Sequence, residues 1–317
     1  MTDYYVDASL ASNGTGTQGD PFNTVQSAFD VIAAGDNIYA TGTETVTSTL
    51  STGGVDATAD NRIGWYGCDS SWNVGNAQFI LDGTSYGADI LNAGGEYWDI
   101  SNITIKGGLQ CVDLEGDYMT GSHWHECIFE NASASGFDGY RGGDMMFTFC
   151  VFRNNGSNGL TSIYSAGDTT FLFCRFENNT NAGDREYYQG HNYVGCLFVG
   201  NGTGVELGES SLVVNCVFDD NGIGLEFGDV DTIAAVGSRF TNNSTYAIST
   251  EGASNYRGWL YYSAFYNNTT KLNGVLMADV GSVDMASGGY EDQANGDYDL
   301  SSSAEARSIA VDLFWDS

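Results

Sequence analysis

Cys174-Arg175-Phe176-Glu177-Asn178-Asn179 is one copy of a phrase that occurs seven times through the middle of this chain. Cys127-Ile128-Phe129-Glu130-Asn131 and Cys150-Val151-Phe152-Arg153-Asn154-Asn155 precede it. Cys196-Leu197-Phe198 with Asn201, Cys216-Val217-Phe218 with Asn221, Ser238-Arg239-Phe240 with Asn242-Asn243, and Ser263-Ala264-Phe265 with Asn267-Asn268 follow it. Successive copies begin 23, 24, 22, 20, 22 and 25 residues apart. A period of that size marks a supersecondary unit that cannot bury its apolar face alone and must stack on copies of itself. The two anchors of each copy, such as Cys174 and Phe176, stand two apart and therefore face one side of a strand. A second apolar pair follows the Asn turn, as in Gly204-Val205-Glu206-Leu207 and Gly224-Leu225-Glu226-Phe227. A third precedes the anchor, as in Phe171-Leu172-Phe173 and Leu212-Val213-Val214. No stretch keeps an i, i+3, i+4, i+7 apolar pattern, so the repeat is not helical. Three short strands per turn around one interior predict an all-β parallel β-helix.

The asparagines fit this winding. A sharp bend between strands needs a residue that tolerates positive φ, and Asn serves there after Gly. Stacked at one corner of successive coils, their amides can bond along the axis.

With its Cys-x-Phe-x-Asn-Asn phrase followed by Gly, then Ile, Val or Leu, any residue, and Leu or Phe, the chain resembles the pectate-lyase-like right-handed parallel β-helix proteins. Asp3-Tyr4-Tyr5-Val6-Asp7 and the stretch from Gly19 to Ala28 resemble that family's entry strand and short N-terminal capping helix. Gly35-Asp36-Asn37-Ile38-Tyr39 resembles its first coil strand, and Asp297-Tyr298-Asp299-Leu300-Ser301 its closing segment. The expected organisation is an entry strand and cap over 1–34, a parallel β-helix of about 11 coils over 35–278 at ~22 residues per coil, and a closing segment over 279–317. The resemblance implies a scaffold used by lyases, hydrolases, epimerases, adhesins and viral spikes, so function must come from a site. The Asp-Asp and Gly-His-Gly signatures of the polygalacturonase branch are absent, as are the basic motifs of the uronate lyases.

Forty-one acidic against ten basic side chains give a net charge of −31. Such a surface offers no basic groove for phosphate backbones, which excludes nucleic acid as a partner, and it disfavours anionic membranes. No apolar run is long enough to span a bilayer, so no membrane insertion is expected. The N-terminus shows no signal peptide in this chain, so either one was cut away or the protein reaches the outside without the secretion pathway, as virion components do. Seven cysteines are present, five of them at one repeat position, which marks small core residues rather than a disulfide framework. Reduced core thiols and the missing signal together suggest assembly in a reducing cytosol and a virion or extracellular destination.

The residue between two inward positions of a strand points outward, and the same register recurs one rung along. Aligning the strands after the Asn turn gives the outward column Asp113, Asp138, Thr161, Arg185 or Glu186, Glu206 and Glu226. Rungs lie ~4.8 Å apart, near the carboxylate spacing of retaining glycosidases, with next-but-one rungs nearer that of inverting ones. Asp113, Asp138 and Glu186 are therefore the candidate acid and base groups, and Arg185 a candidate base or charge neutraliser. Tyr140, Arg141, Asp144, Tyr164, Tyr187, Tyr188 and His191 make a polar, aromatic cluster of the kind that binds sugars by ring stacking and hydrogen bonds. His123 and His125 share one side of a strand and extend that groove if they face outward. No metal site is expected, for want of a third ligand beside those histidines; calcium bridging of the acidic column is the one cofactor option. Two functions follow. The first is a virion-associated or cell-surface structural protein or adhesin (phage tail-spike, fibre or capsid-decoration type), a homo-oligomer, most simply a trimer, that recognises a polysaccharide or cell-surface glycan. The alternative is a polysaccharide-degrading glycoside hydrolase or lyase that uses the carboxylate column.

Overall fold

The strands fall where the repeat puts them. The computed structural model describes residues 1–114, 119–139, 143–162, 169–186, 190–208, 210–227, 233–250, 258–276, 278–286, 290–293 and 297–300. Each coil is three short strands, for example His191–Val194, Leu197–Val199 and Thr203–Leu207, and each pairs in parallel with its equivalent in the next coil. These are called the first, second and third strand, and their stacks the first, second and third sheet. The winding is the right-handed one that connected parallel strands adopt. The chain divides into two units, Met1–Thr169 and Thr170–Ser317. Among the described residues each unit carries five three-strand coils, slightly fewer in all than the ~11 anticipated from the period.

Inward positions form continuous files within each unit. In the first unit, the second sheet stacks Leu81, Ile105, Phe129 and Phe152 in register, and the first sheet stacks Ile38, Trp65, Ile100, Trp124 and Phe147. In the second unit, Phe176, Phe198, Phe218, Phe240 and Phe265 pile ring on ring, with centroids 4.7, 4.8, 4.9 and 5.2 Å apart. Offset stacking at that spacing follows from the rung distance itself, so the backbone ladder and the ring contacts reinforce one another. All seven cysteines are buried, and none forms a disulfide.

The Asn-Asn corners divide their labour. The first asparagine takes the left-handed conformation, with φ of 56° at Asn154, 53° at Asn178 and 55° at Asn242. The second is buried and bonds along the axis. Asn201 is typical: its backbone N–H and its side-chain amide both donate to Asn221 Oδ1 (3.0 and 3.1 Å), and the amide also donates to the Phe176 carbonyl (2.8 Å). The same pattern runs from Asn179 to Asn268.

The first unit is capped by the helix Val25–Phe29. Thr24 caps it by accepting the Ser27 N–H, and Phe29 sits edge-on against Trp65 with centroids 5.2 Å apart. Glu44, level with Leu81 in the second-sheet file, turns inward and accepts the Val25 N–H at 2.8 Å. Burial pushes the Glu44 carboxyl up to about 7, against the opposing pull of that N–H. In the second unit Tyr290–Asp292 and Asp297–Leu300 form an antiparallel pair, and Gln293 donates to Asp219 on the second sheet.

Candidate functional site

The rungs of the expected column align within each unit. In the first, the third sheet aligns Asn92, Asp113, Asp138 and Thr161, while Leu91, Val112, Phe137 and Leu160 point inward from the same strands. Asp113 and Asp138 thus occupy consecutive rungs of one file. The face is recessed, with Asp113 8% and Thr161 7% exposed. The Thr161 hydroxyl is 3.0 Å from Ser135 Oγ and accepts from the Asn158 amide at 2.9 Å. In the second unit Arg185, Glu206 and Glu226 align, with Arg185 Nε 2.8 Å from Glu206 Oε2.

Glu186 departs from the expected column. The register that places Arg185 beside Glu206 makes Arg185 the outward residue, so Glu186 points into the coil and is 3% exposed. A single-residue step along a strand reverses the face. Glu186 therefore cannot pair with Asp138 as an outer acid or base. His191 is likewise buried, 1% exposed, and does not line an outer groove.

His123 and His125 do face outward, both exposed on either side of buried Trp124, but they belong to the first sheet rather than the third. His123 Nδ1 lies 3.4 Å from Asp99 Oδ1, to which Arg62 Nε donates at 2.7 Å. Burial, with the nearby Arg62 charge, lowers the His123 pKa despite Asp99. His125 Nε2 is 3.4 Å from Glu126 Oε1. Asp144 is exposed, with φ of 50°. Tyr140, Arg141, Tyr164, Tyr187 and Tyr188 lie outside the described residues.

Glu186 and His191 meet instead inside the second unit, where they join Asp184 and Tyr193. Asp184 takes the inward position that Val205, Leu225 and Ile248 fill in the following coils. The Tyr193 oxygen is 2.7 Å from Asp184 Oδ2 and 2.6 Å from Glu186 Oε1. His191 Nδ1 is 3.2 Å from Asp184 Oδ2, 3.3 Å from the Tyr193 oxygen and 3.6 Å from Glu186 Oε1. Glu186 Oε2 accepts from the Gly208 N–H (2.9 Å) and the Ser211 hydroxyl (2.7 Å). Burial, opposed by His191 and aided by the Asp184 charge, pushes the Glu186 carboxyl up to about 7; the Tyr193 hydroxyl rises well above its ordinary range for the same reason. A sequence signal for this cluster existed. Aligning Gly183-Asp184-Arg185-Glu186 on Gly204-Val205-Glu206-Leu207 and Gly224-Leu225-Glu226-Phe227 sets Asp184 and Glu186 at core positions.

The chain belongs to the right-handed β-helix family, whose signature matches residues 86–270. Among solved structures it is similar to the pectate lyase Pel9A, at a TM-score of 0.73 and 14% identity, over 96% of this chain and 90% of that one. It is also similar to an alginate lyase from Paenibacillus sp. str. FPU-7, at a TM-score of 0.56 and 14% identity, over 87% of this chain and 99% of that one. A third similar structure is the ORF18 protein of Geobacillus virus E2, at a TM-score of 0.57 and 16% identity, over 89% of this chain and 60% of that one. No curated protein matches in sequence. At these identities the likeness establishes the fold, which polysaccharide lyases and a viral protein share.

Proposed function

We propose that this chain is a glycan-recognising β-helix of the virion or cell-surface type, with the polysaccharide lying along the outer face of the third sheet in the first unit. The observation that carries the reading is the in-register file of Asn92, Asp113, Asp138 and Thr161, a row of polar side chains repeated at the rung spacing, of which Asn92 and Asp138 are partly exposed. Recognition is preferred to cleavage because Glu186 is withdrawn into the core and Arg185 is paired with Glu206. A net charge of −31 repels polyuronates unless a cation bridges them, so a neutral glycan fits best. Affinity electrophoresis against neutral and uronate polysaccharides, with and without calcium, tests this. Retardation by a neutral glycan that Asp138→Asn weakens about tenfold supports it, and retardation by none of them refutes it. Light scattering tests the accompanying expectation of a homotrimer.

Cleavage remains as a second reading because Asp113 and Asp138 occupy adjacent rungs, ~4.8 Å apart, which is near the spacing of retaining carboxylate pairs. New reducing ends or unsaturated uronate absorbance, lost in both Asp113→Asn and Asp138→Asn, would establish it. Calcium, if it takes part, would be held by the same carboxylates.

A further inference from the structure

We propose that Asp184, Glu186, His191 and Tyr193 form a buried site for one divalent transition-metal ion of the Zn²⁺ or Mn²⁺ class, inside the coils of the second unit. The donor atoms are His191 Nδ1, Asp184 Oδ2, Glu186 Oε1 and the Tyr193 oxygen. Five of the six distances among them are 3.2, 3.6, 3.3, 2.7 and 2.6 Å. Four ligands at tetrahedral bond lengths around zinc stand about 3.3 Å apart, so small outward shifts of the two carboxylates complete the polyhedron. One imidazole nitrogen with three oxygens suits borderline divalent ions.

Two observations argue for an ion rather than a closed hydrogen-bond network. Tyr193 has a single hydroxyl hydrogen, yet its oxygen lies at bonding distance from two carboxylates and can donate to only one. Asp184 Oδ1 is fully buried and has no hydrogen-bond partner among the described residues. Two carboxylates so enclosed need a compensating charge, and one divalent ion supplies it for both. The surroundings are built to orient them: Gly208 and Ser211 hold Glu186 Oε2, which turns Oε1 toward the histidine. The fold itself does not require polar groups here, since each following coil fills the equivalent position with an apolar residue, Val205 for Asp184 and Val213 for Tyr193.

The test is to produce the full chain in medium supplemented with Zn²⁺, Mn²⁺ or Co²⁺, pass it over chelating resin, and measure metal per chain by plasma mass spectrometry. About one retained equivalent is expected, with a tetrahedral visible spectrum for Co²⁺ and a lower Tm after unfolding and refolding in chelator. Asp184→Val with Glu186→Leu, which copies the next coil, should fold by circular dichroism and retain no ion. His191→Phe is the second variant, keeping a ring beside Phe171 (centroids 5.5 Å apart) while removing the nitrogen, and it should lose the ion as well. His123→Ala with His125→Ala should keep it, which separates the buried site from surface chelation. Less than ~0.1 equivalent with all three metals overturns the proposal and leaves a proton as the occupant. Retention by either core variant overturns it too.

Discussion

Asn221→Ala should be among the most damaging single substitutions in this protein. Asn221 is fully buried and links three coils: its Oδ1 accepts from the Asn201 N–H (3.0 Å) and side-chain amide (3.1 Å), and its own amide donates to the Phe198 carbonyl (2.9 Å) and Asn243 Oδ1 (3.2 Å). Alanine leaves some of these groups satisfied. The Asn201 amide still reaches the Phe176 carbonyl, and Asn243 Oδ1 still accepts the Asn221 backbone N–H. The Asn201 N–H and the Phe198 carbonyl each lose a partner from the ladder. At roughly 1–3 kcal/mol for the orphaned Asn201 N–H, plus about 1 kcal/mol for the weakened carbonyl bonding and small cavity, the loss comes to about 2–4 kcal/mol. Asn267→Ala is the control, because the Asn267 amide makes only an exposed bond to Asn242. It should cost about 1 kcal/mol, mainly through its left-handed backbone. Asn221→Asp sharpens the test: a carboxylate keeps the acceptor role but confronts the Phe198 carbonyl and Asn243 Oδ1 with negative charge. The buried acid is therefore held protonated, and its destabilisation should grow as pH rises above ~4. Urea unfolding followed by circular dichroism measures all three. An Asn221→Ala loss no greater than that of Asn267→Ala would refute the reasoning.

Glu44 should tie stability to pH. Its folded pKa of about 7 stands above the ordinary 4.5, so folding takes up a proton; its contribution is fully present below pH 4.5 and is lost as pH rises through 7. At about 1.4 kcal/mol per pH unit this amounts to about 3 kcal/mol. Glu44→Gln keeps an acceptor for the Val25 N–H and should match the wild type near pH 4.5 but exceed it by up to that amount at pH 8. A wild-type-to-variant difference that does not change with pH would contradict this. Phe218→Ala opens the ring pile between Phe198 and Phe240 and should cost about 3–5 kcal/mol in urea unfolding; a loss under ~1 kcal/mol would mean the rings do not carry the core.

The coil was legible because stacking gives every copy of a position the same surroundings. The Cys-x-Phe anchors could be placed inside, and the asparagines at the corners, from spacing alone. The split between a left-handed Asn178 and a ladder-forming Asn179 was not legible, since adjacent asparagines read alike until backbone angles separate them. Glu186 was misplaced for a more general reason. Choosing it as an outward acid followed charge, whereas Gly183, Gly204 and Gly224 set the register, and in a strand one residue decides between solvent and core. His191 followed Glu186 into the interior. Asp113 and Asp138 kept their expected face because apolar Val112 and Phe137 fix the register beside them.

The cysteine files have a practical consequence. Cys127 and Cys150 in the first unit, and Cys174, Cys196 and Cys216 in the second, are wholly shielded from solvent and so from any reagent. Each of these coils thus carries its own silent clock, started only when that turn opens to an alkylating reagent. Because a coil touches only its neighbours, the order in which the five sites acquire label would trace how the winding comes apart.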